Sequence, residues 1–176
     1  GLVVVGGLFV MVGLNRLRTQ RVSVDEAFAG IDVQLTRRAE LIPNLVETVK
    51  GYATHEQKVF EEVTKARADA MSAKGVGDTA QAESGLNQSL ADLRAVAEQY
   101  PDLKATENFQ QLSRNLSELE DEIQASRRIY NSNVQSYNTK IQQFPASIVA
   151  NQGGFTAREF YEIEDAAQRE TPSVSF

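Results

Sequence analysis

From Val24 onward, apolar residues recur along the chain at steps of three and four. The run is Val24, Phe28, Ile31 and Leu35, then Ile42, Leu45, Val49 and Tyr52, then Val59, Val63 and Ala70. A mean step of 3.5 sustained over about six heptads is the pattern of a long helix packed along one seam. It predicts a helix over 24–72, entered through the capping-box pattern Ser23 to Glu26 and stopped by Gly75 and Gly77. A shorter helix follows, with Asp78 as its expected N-cap and Ala82, Leu86, Leu90, Leu93 and Ala97 on one face; Pro101 ends it. The second long helix is expected over 102–143, carrying Phe109, Leu112, Leu116, Leu119, Ile123, Tyr130, Tyr137, Ile141 and Phe144, and it stops before Pro145. "FPASIVANQGGF" reads as a connection. The box Thr156 to Glu159 then opens a last short helix to about Gln168, and "ETPSVSF" is an extended tail. The fold class is therefore all-α, an elongated antiparallel bundle of two long helices and two shorter ones. The shorter helices leave apolar stripe uncovered on the longer ones, so burial by a second copy, a homo-oligomer, is expected.

The N-terminus follows a different pattern. "GLVVVGGLFVMVGL" has fourteen residues without a charge, and Arg16, Arg18 and Arg21 come directly after it. A helix of that length spans about 21 Å against a hydrocarbon core of roughly 30 Å. The chain begins at Gly1 without an initiator Met, and no small-residue cleavage pattern follows. The segment is read as the visible part of an N-terminal transmembrane helix. Residues 1–21 then form the anchor and its basic flank, and 22–176 the bundle. Three arginines on that flank put the bundle on the cytoplasmic side.

Several residues interrupt the first stripe. In "RRAELIPNLVETVKGYATHE" the strict stripe position at 38 holds Arg38, beside Arg37, and the next irregularities are Pro43 and Gly51. A proline inside a helix costs about 3 kcal/mol and kinks it, and a glycine costs up to about 1 kcal/mol. Curvature of one long helix is the expected role of both. Arg38 has two readings. It is a buried charge meeting an acid or the amides Asn131, Asn133 and Asn138 of the second long helix, or it snorkels outward while Ala39 takes the buried place. Tyr130-Asn131 and Tyr137-Asn138 are seven apart and point the same way, which suits an interhelical hydrogen-bond layer that fixes register.

Composition adds mainly exclusions. The 176 residues include 24% charged and 7% aromatic side chains, with no Trp and no Cys. Without cysteine there is no disulfide framework, thiolate metal site or thiol nucleophile. The net charge of −6 argues against nucleic acid as a partner. The single histidine, His55, has no second histidine for a zinc motif, and no G-x-S-x-G or phosphate loop occurs. Acidic runs at Glu61-Glu62 and 118–122 read as solvated faces. A non-enzymatic protein without a cofactor is expected.

Four blocks in order, "QLTRRAELIPNLVETVKGYATHE", "YPDLKATENFQQLSRNLSELEDEI", "RRIYNSNVQSYNTKIQQFPASIVA" and "PSVSF", resemble the LemA family over roughly residues 22–176. Arg37, Arg38, Pro43, Asn44 and Gly51 match its signature block, as do Tyr130, Asn131, Tyr137 and Asn138. The resemblance implies a bacterial membrane protein with one N-terminal transmembrane helix and a cytoplasmic helical bundle at the inner membrane. One branch of the family occurs among magnetosome-associated proteins, and no catalytic residue carries over. The expected function is a self-associating, membrane-anchored scaffold. The alternative is an adaptor that presents its bundle to a membrane protein such as a protease or transporter. Expected partners are thus the lipid bilayer, a second copy and such a membrane protein.

Overall fold

The computed structural model describes residues 1–162, without the side chains at positions 2 and 3. Among the described residues all regular structure is helical. The helices are α1 (Leu2–Lys50), α2 (Gln57–Ser72), α3 (Val76–Glu98), α4 (Pro101–Lys104), α5 (Glu107–Gln142) and α6 (Ala146–Gln152). The all-α expectation holds, while several boundaries differ.

The chain forms two compact units, one from 1–34 with 121–161 and one built on 35–120, so α1 and α5 each contribute to both. In the first unit α1 and α5 run antiparallel. Asn133 Nδ2 donates to the Ser23 carbonyl at 3.3 Å, and the Phe28 and Tyr130 rings lie 5.8 Å apart between centroids. Their seam buries Leu17, Val24 and Ile31 against Ile123, Val134 and Tyr137, with Val149 of α6 also buried. In the second unit the last turns of α1, with α2, α3, α4 and the start of α5, enclose one core that includes Ile42, Val49, Phe60, Leu86, Leu93 and Leu112.

The expected helix over 24–72 is two helices, and the capping box at Ser23 to Glu26 opens nothing. α1 is already helical there, and the Ser23 hydroxyl donates back to the Thr19 carbonyl at 3.1 Å. That is the usual alternative for a serine with a helical turn before it. Gly51 is no interior breaker either, because α1 ends beside it. The Tyr52 and Ala53 amides both donate to the Val49 carbonyl, at 3.0 and 2.9 Å. In the turn Tyr52 is 44% exposed, and Ala53 takes the buried place expected for the tyrosine. The second long helix is likewise interrupted. α4 ends at Lys104, and α5 restarts after Thr106, whose hydroxyl accepts the Phe109 amide at 3.4 Å. Asp78 falls in the first turn of α3 instead of capping it, and Phe144, expected in the core, is 81% exposed.

At the C-terminal end the stretch read as a connection contains α6, and Thr156 to Glu159 opens no helix. The rest of that expected helix and the tail "ETPSVSF" lie outside the described residues. The turn after α6 depends on glycine. A Cβ at Gly153 would approach the Phe155 ring at 2.6 Å and Leu14 at 2.9 Å, and Gly154 has φ +67°. Of the first stripe, Val24, Ile31, Ile42, Leu45 and Val49 are buried by their own chain.

Pro43 lies inside α1 with its ring exposed. A proline has no N–H to give to the residue four before it, so here the Ala39 carbonyl lacks its helical donor. Arg67 of α2 supplies one, with Nε donating to the Ala39 oxygen at 2.7 Å. Because Lys50 also sits over the Phe60 ring, 5.6 Å from its centroid, α2 returns antiparallel along the end of α1. The proline therefore exposes an acceptor on which the returning helix docks. Arg67→Met is expected to cost about 1.5–3 kcal/mol, the range for a charged hydrogen bond. In a Pro43→Ala background the new amide takes the carbonyl and the same change costs at least about 1 kcal/mol less. Urea unfolding of the four proteins in this cycle measures the coupling.

Candidate functional site

Two polar constellations stand out, one in each unit. In the second unit, Arg38 and Glu83 form an ion pair with only 3% and 1% of their surfaces exposed. Arg38 Nη1 also donates to Asn87 Oδ1 at 2.9 Å. Glu83 and Asn87 are one turn apart on α3, so they face Arg38 together. The partner helix is thus α3. Asn131, Asn133 and Asn138 on α5, expected as candidates, serve other groups. Ala39 is buried beside the arginine and does not displace it.

The spacing held a signal for Glu83. On α3 the buried positions Thr79, Glu83, Leu86, Leu90, Leu93 and Ala97 advance by fours and threes. An acid occupies a stripe position on one helix and a base occupies a stripe position on another, which suits a buried pair. Choosing the apolar Ala82 for that place concealed it. Of the other signature residues, Arg37, Pro43, Asn44 and Gly51 are exposed, so the structure does not gather the block into one site. Asn44 contributes through its carbonyl, which accepts the Thr48 hydroxyl at 2.7 Å; that hydroxyl accepts Asn108 Nδ2 of α5 at 3.0 Å.

In the first unit, the Tyr-Asn pairs hold the non-helical segment after α6. Asn138 Nδ2 donates to the Arg158 carbonyl at 2.9 Å, and the Arg158 amide donates to Asn138 Oδ1 at 2.7 Å. Asn131 does the same for Tyr161, at 3.0 and 2.8 Å. Each side-chain amide thus satisfies both backbone groups of one residue, as a neighbouring strand would. Geometry explains the spacing. Seven helical residues rise about 10.5 Å, and three extended residues cover about 10 Å. The segment therefore runs antiparallel to α5 with one rung per heptad. Between the rungs the Tyr130 hydroxyl donates to the Glu159 carbonyl at 2.7 Å. Arg158 pairs with Asp25 of α1, and Arg127 lies 5.8 Å from the Tyr161 ring centroid. The expected layer between the two long helices is in fact a clamp on this segment, while Asn133 reaches the α1 backbone.

Burial pushes the Tyr130 hydroxyl above its usual value; nearby Arg158 opposes the shift, and Glu159 and Asp25 add to it. Burial also raises Tyr137, with Arg21 opposing. Among the described residues, no group of three or more His, Asp or Glu side chains is placed to hold a metal ion. These constellations can bind backbone and fix helix register.

Such an arrangement defines a helical-bundle protein whose polar interior serves architecture. The LemA family model matches residues 27–176, and the chain belongs to the LemA family. It is 32% identical to protein LemA of Metamycoplasma hominis over 145 residues, covering 81% of this chain and 66% of that protein. It is 26% identical to magnetosome protein MamQ 2 of Paramagnetospirillum magneticum over 170 residues, covering 82% and 62%. Magnetosome protein MamQ of Magnetospirillum gryphiswaldense is 24% identical over 173 residues, covering 84% and 63%. The chain thus spans a little under two thirds of the length of these relatives.

Arg38→Ala is expected to cost about 3–5 kcal/mol, because Glu83 is left buried without its counter-charge. Replacing both partners with leucine costs less than that single change, a comparison that urea unfolding makes directly. For Tyr130→Phe the expected loss at neutral pH is about 1 kcal/mol, one hydrogen bond. The native tyrosines titrate above the unfolded value of about 10, so stability from their neutral forms is complete below that pH. It falls as pH rises through their higher native values. Thermal melts between pH 9 and 12 should therefore decline less steeply for Tyr130→Phe.

Proposed function

We propose that this protein is a membrane-anchored, non-enzymatic scaffold at a bacterial inner membrane, single-pass, with the bundle on the cytoplasmic side. One observation carries the reading. Val4, Val5, Leu8, Phe9, Met11 and Val12 of α1 are all exposed on one broad face, about half of the helix circumference, and Arg16, Arg18 and Arg21 follow at once. Water tolerates single exposed apolar side chains, but a contiguous apolar face over three turns without a charge suits a helix in lipid. The basic flank supports the orientation. Among the described residues no helix is long and apolar enough to cross a membrane; the exposed apolar face of α1 is what supports insertion. Two of the relatives are named magnetosome proteins, which is consistent with a role at a bacterial organelle.

Self-association is supported by Val22 and Val33. They lie eleven residues apart on one face of α1, about three turns, and both stay exposed. Reconstituted with phosphatidylcholine vesicles, the full chain is expected to float with the lipid and to resist extraction by salt. A Val4→Asp, Leu8→Asp variant should stay in the aqueous phase, since an acid toward the middle of a membrane helix costs up to about 2.5–3.5 kcal/mol. Native protein that fails to float overturns the anchor, and a monodisperse monomer at micromolar concentration in mild detergent overturns self-association.

A further inference from the structure

A groove of about 540 Å³ in the first unit is lined by Val12, Asn15, Arg16, Thr19 and Gln20 of α1 and by Lys140 of α5. The antiparallel register dictates this meeting. Asn133 reaches the Ser23 carbonyl, and one heptad onward along α5 and one heptad back along α1 are Lys140 and Arg16. Two cations thus share a groove that no carboxylate lines, on a chain of net charge −6. Neither forms an ion pair among the described residues. Two like charges facing one groove favour an occupant that brings negative charge.

Height along α1 identifies that ligand. Val12 closes the exposed apolar stretch, and Arg16 lies one turn beyond it, about 6 Å. The headgroup layer on each side of a bilayer is about 5–8 Å thick. The groove therefore has an apolar lip at the hydrocarbon boundary and its cations at phosphate level. We propose that it seats the headgroup of an anionic phospholipid. The phosphate lies between Arg16 and Lys140, and the first acyl carbons rest on Val12. This inference rests on bilayer insertion of α1.

The test uses the full chain reconstituted in phosphatidylcholine vesicles containing one tenth phosphatidylglycerol. The protein is then purified in mild detergent, and its bound lipid is quantified. Native protein is expected to retain phosphatidylglycerol well above the input ratio, and free glycerol phosphate should not displace it. Arg16→Gln and Lys140→Gln should each lower that enrichment about fivefold, the effect of roughly 1 kcal/mol per cation at a membrane surface. Arg18→Gln, on the same flank but outside the groove, should leave it unchanged. Equal losses in all three variants would show diffuse attraction of basic residues to the surface and overturn a built site, as would retention at the input ratio. All variants should float with the vesicles. A native protein that does not float refutes the anchor, whereas one that floats without lipid preference refutes only the headgroup site.

Discussion

A backbone carbonyl or amide taken out of water must find a partner, and this chain meets that demand with side chains wherever helix fails to supply one. Pro43 deprives the Ala39 carbonyl of its donor, and Arg67 arrives from α2 to provide it. The segment after α6 has no strand beside it, and Asn131 and Asn138 offer both halves of a strand's bonding to Tyr161 and Arg158. In each unit a polar contact therefore decides where a returning piece of chain docks. Apolar burial then provides most of the stabilisation without needing to specify register.

The buried Arg38–Glu83 pair works in the same spirit with full charges. Desolvating two ions is costly, and replacing such a pair with hydrophobic residues is often neutral or stabilising. Its presence among Ile42, Leu86 and Leu90 is better understood as a restriction on how α1 and α3 slide past each other. A helix shifted by one turn would put Glu83 opposite an aliphatic side chain and leave both charges bare.

Much of this was legible in the periodicity. Most stripe residues on α1, α3 and α5 are buried, since a 3.5-residue spacing reports a buried seam regardless of what covers it. Boundaries were less legible because the same spacing runs through Gly51 and through Ala105–Thr106 without losing phase. Val59 and Val63 continue the stripe of α1 after the chain has reversed, so a hairpin and a straight rod look alike. Arg38 announced itself as a charge on the seam, while Glu83 was masked by apolar Ala82 next to it. The Tyr-Asn pairs were recognisable as one-sided. Their target was not, because a side-chain amide recognises backbone and leaves no complementary pattern in the residues it holds.

That property has a consequence of its own. Since Asn131 and Asn138 bind main-chain atoms, the clasp measures the distance along the segment and ignores most of its lettering. Substitutions between Arg158 and Tyr161 leave the rungs intact as long as the backbone stays extended, whereas a single inserted or deleted residue throws one rung out of step. The clasp acts as a ruler, tolerant of spelling and strict about length.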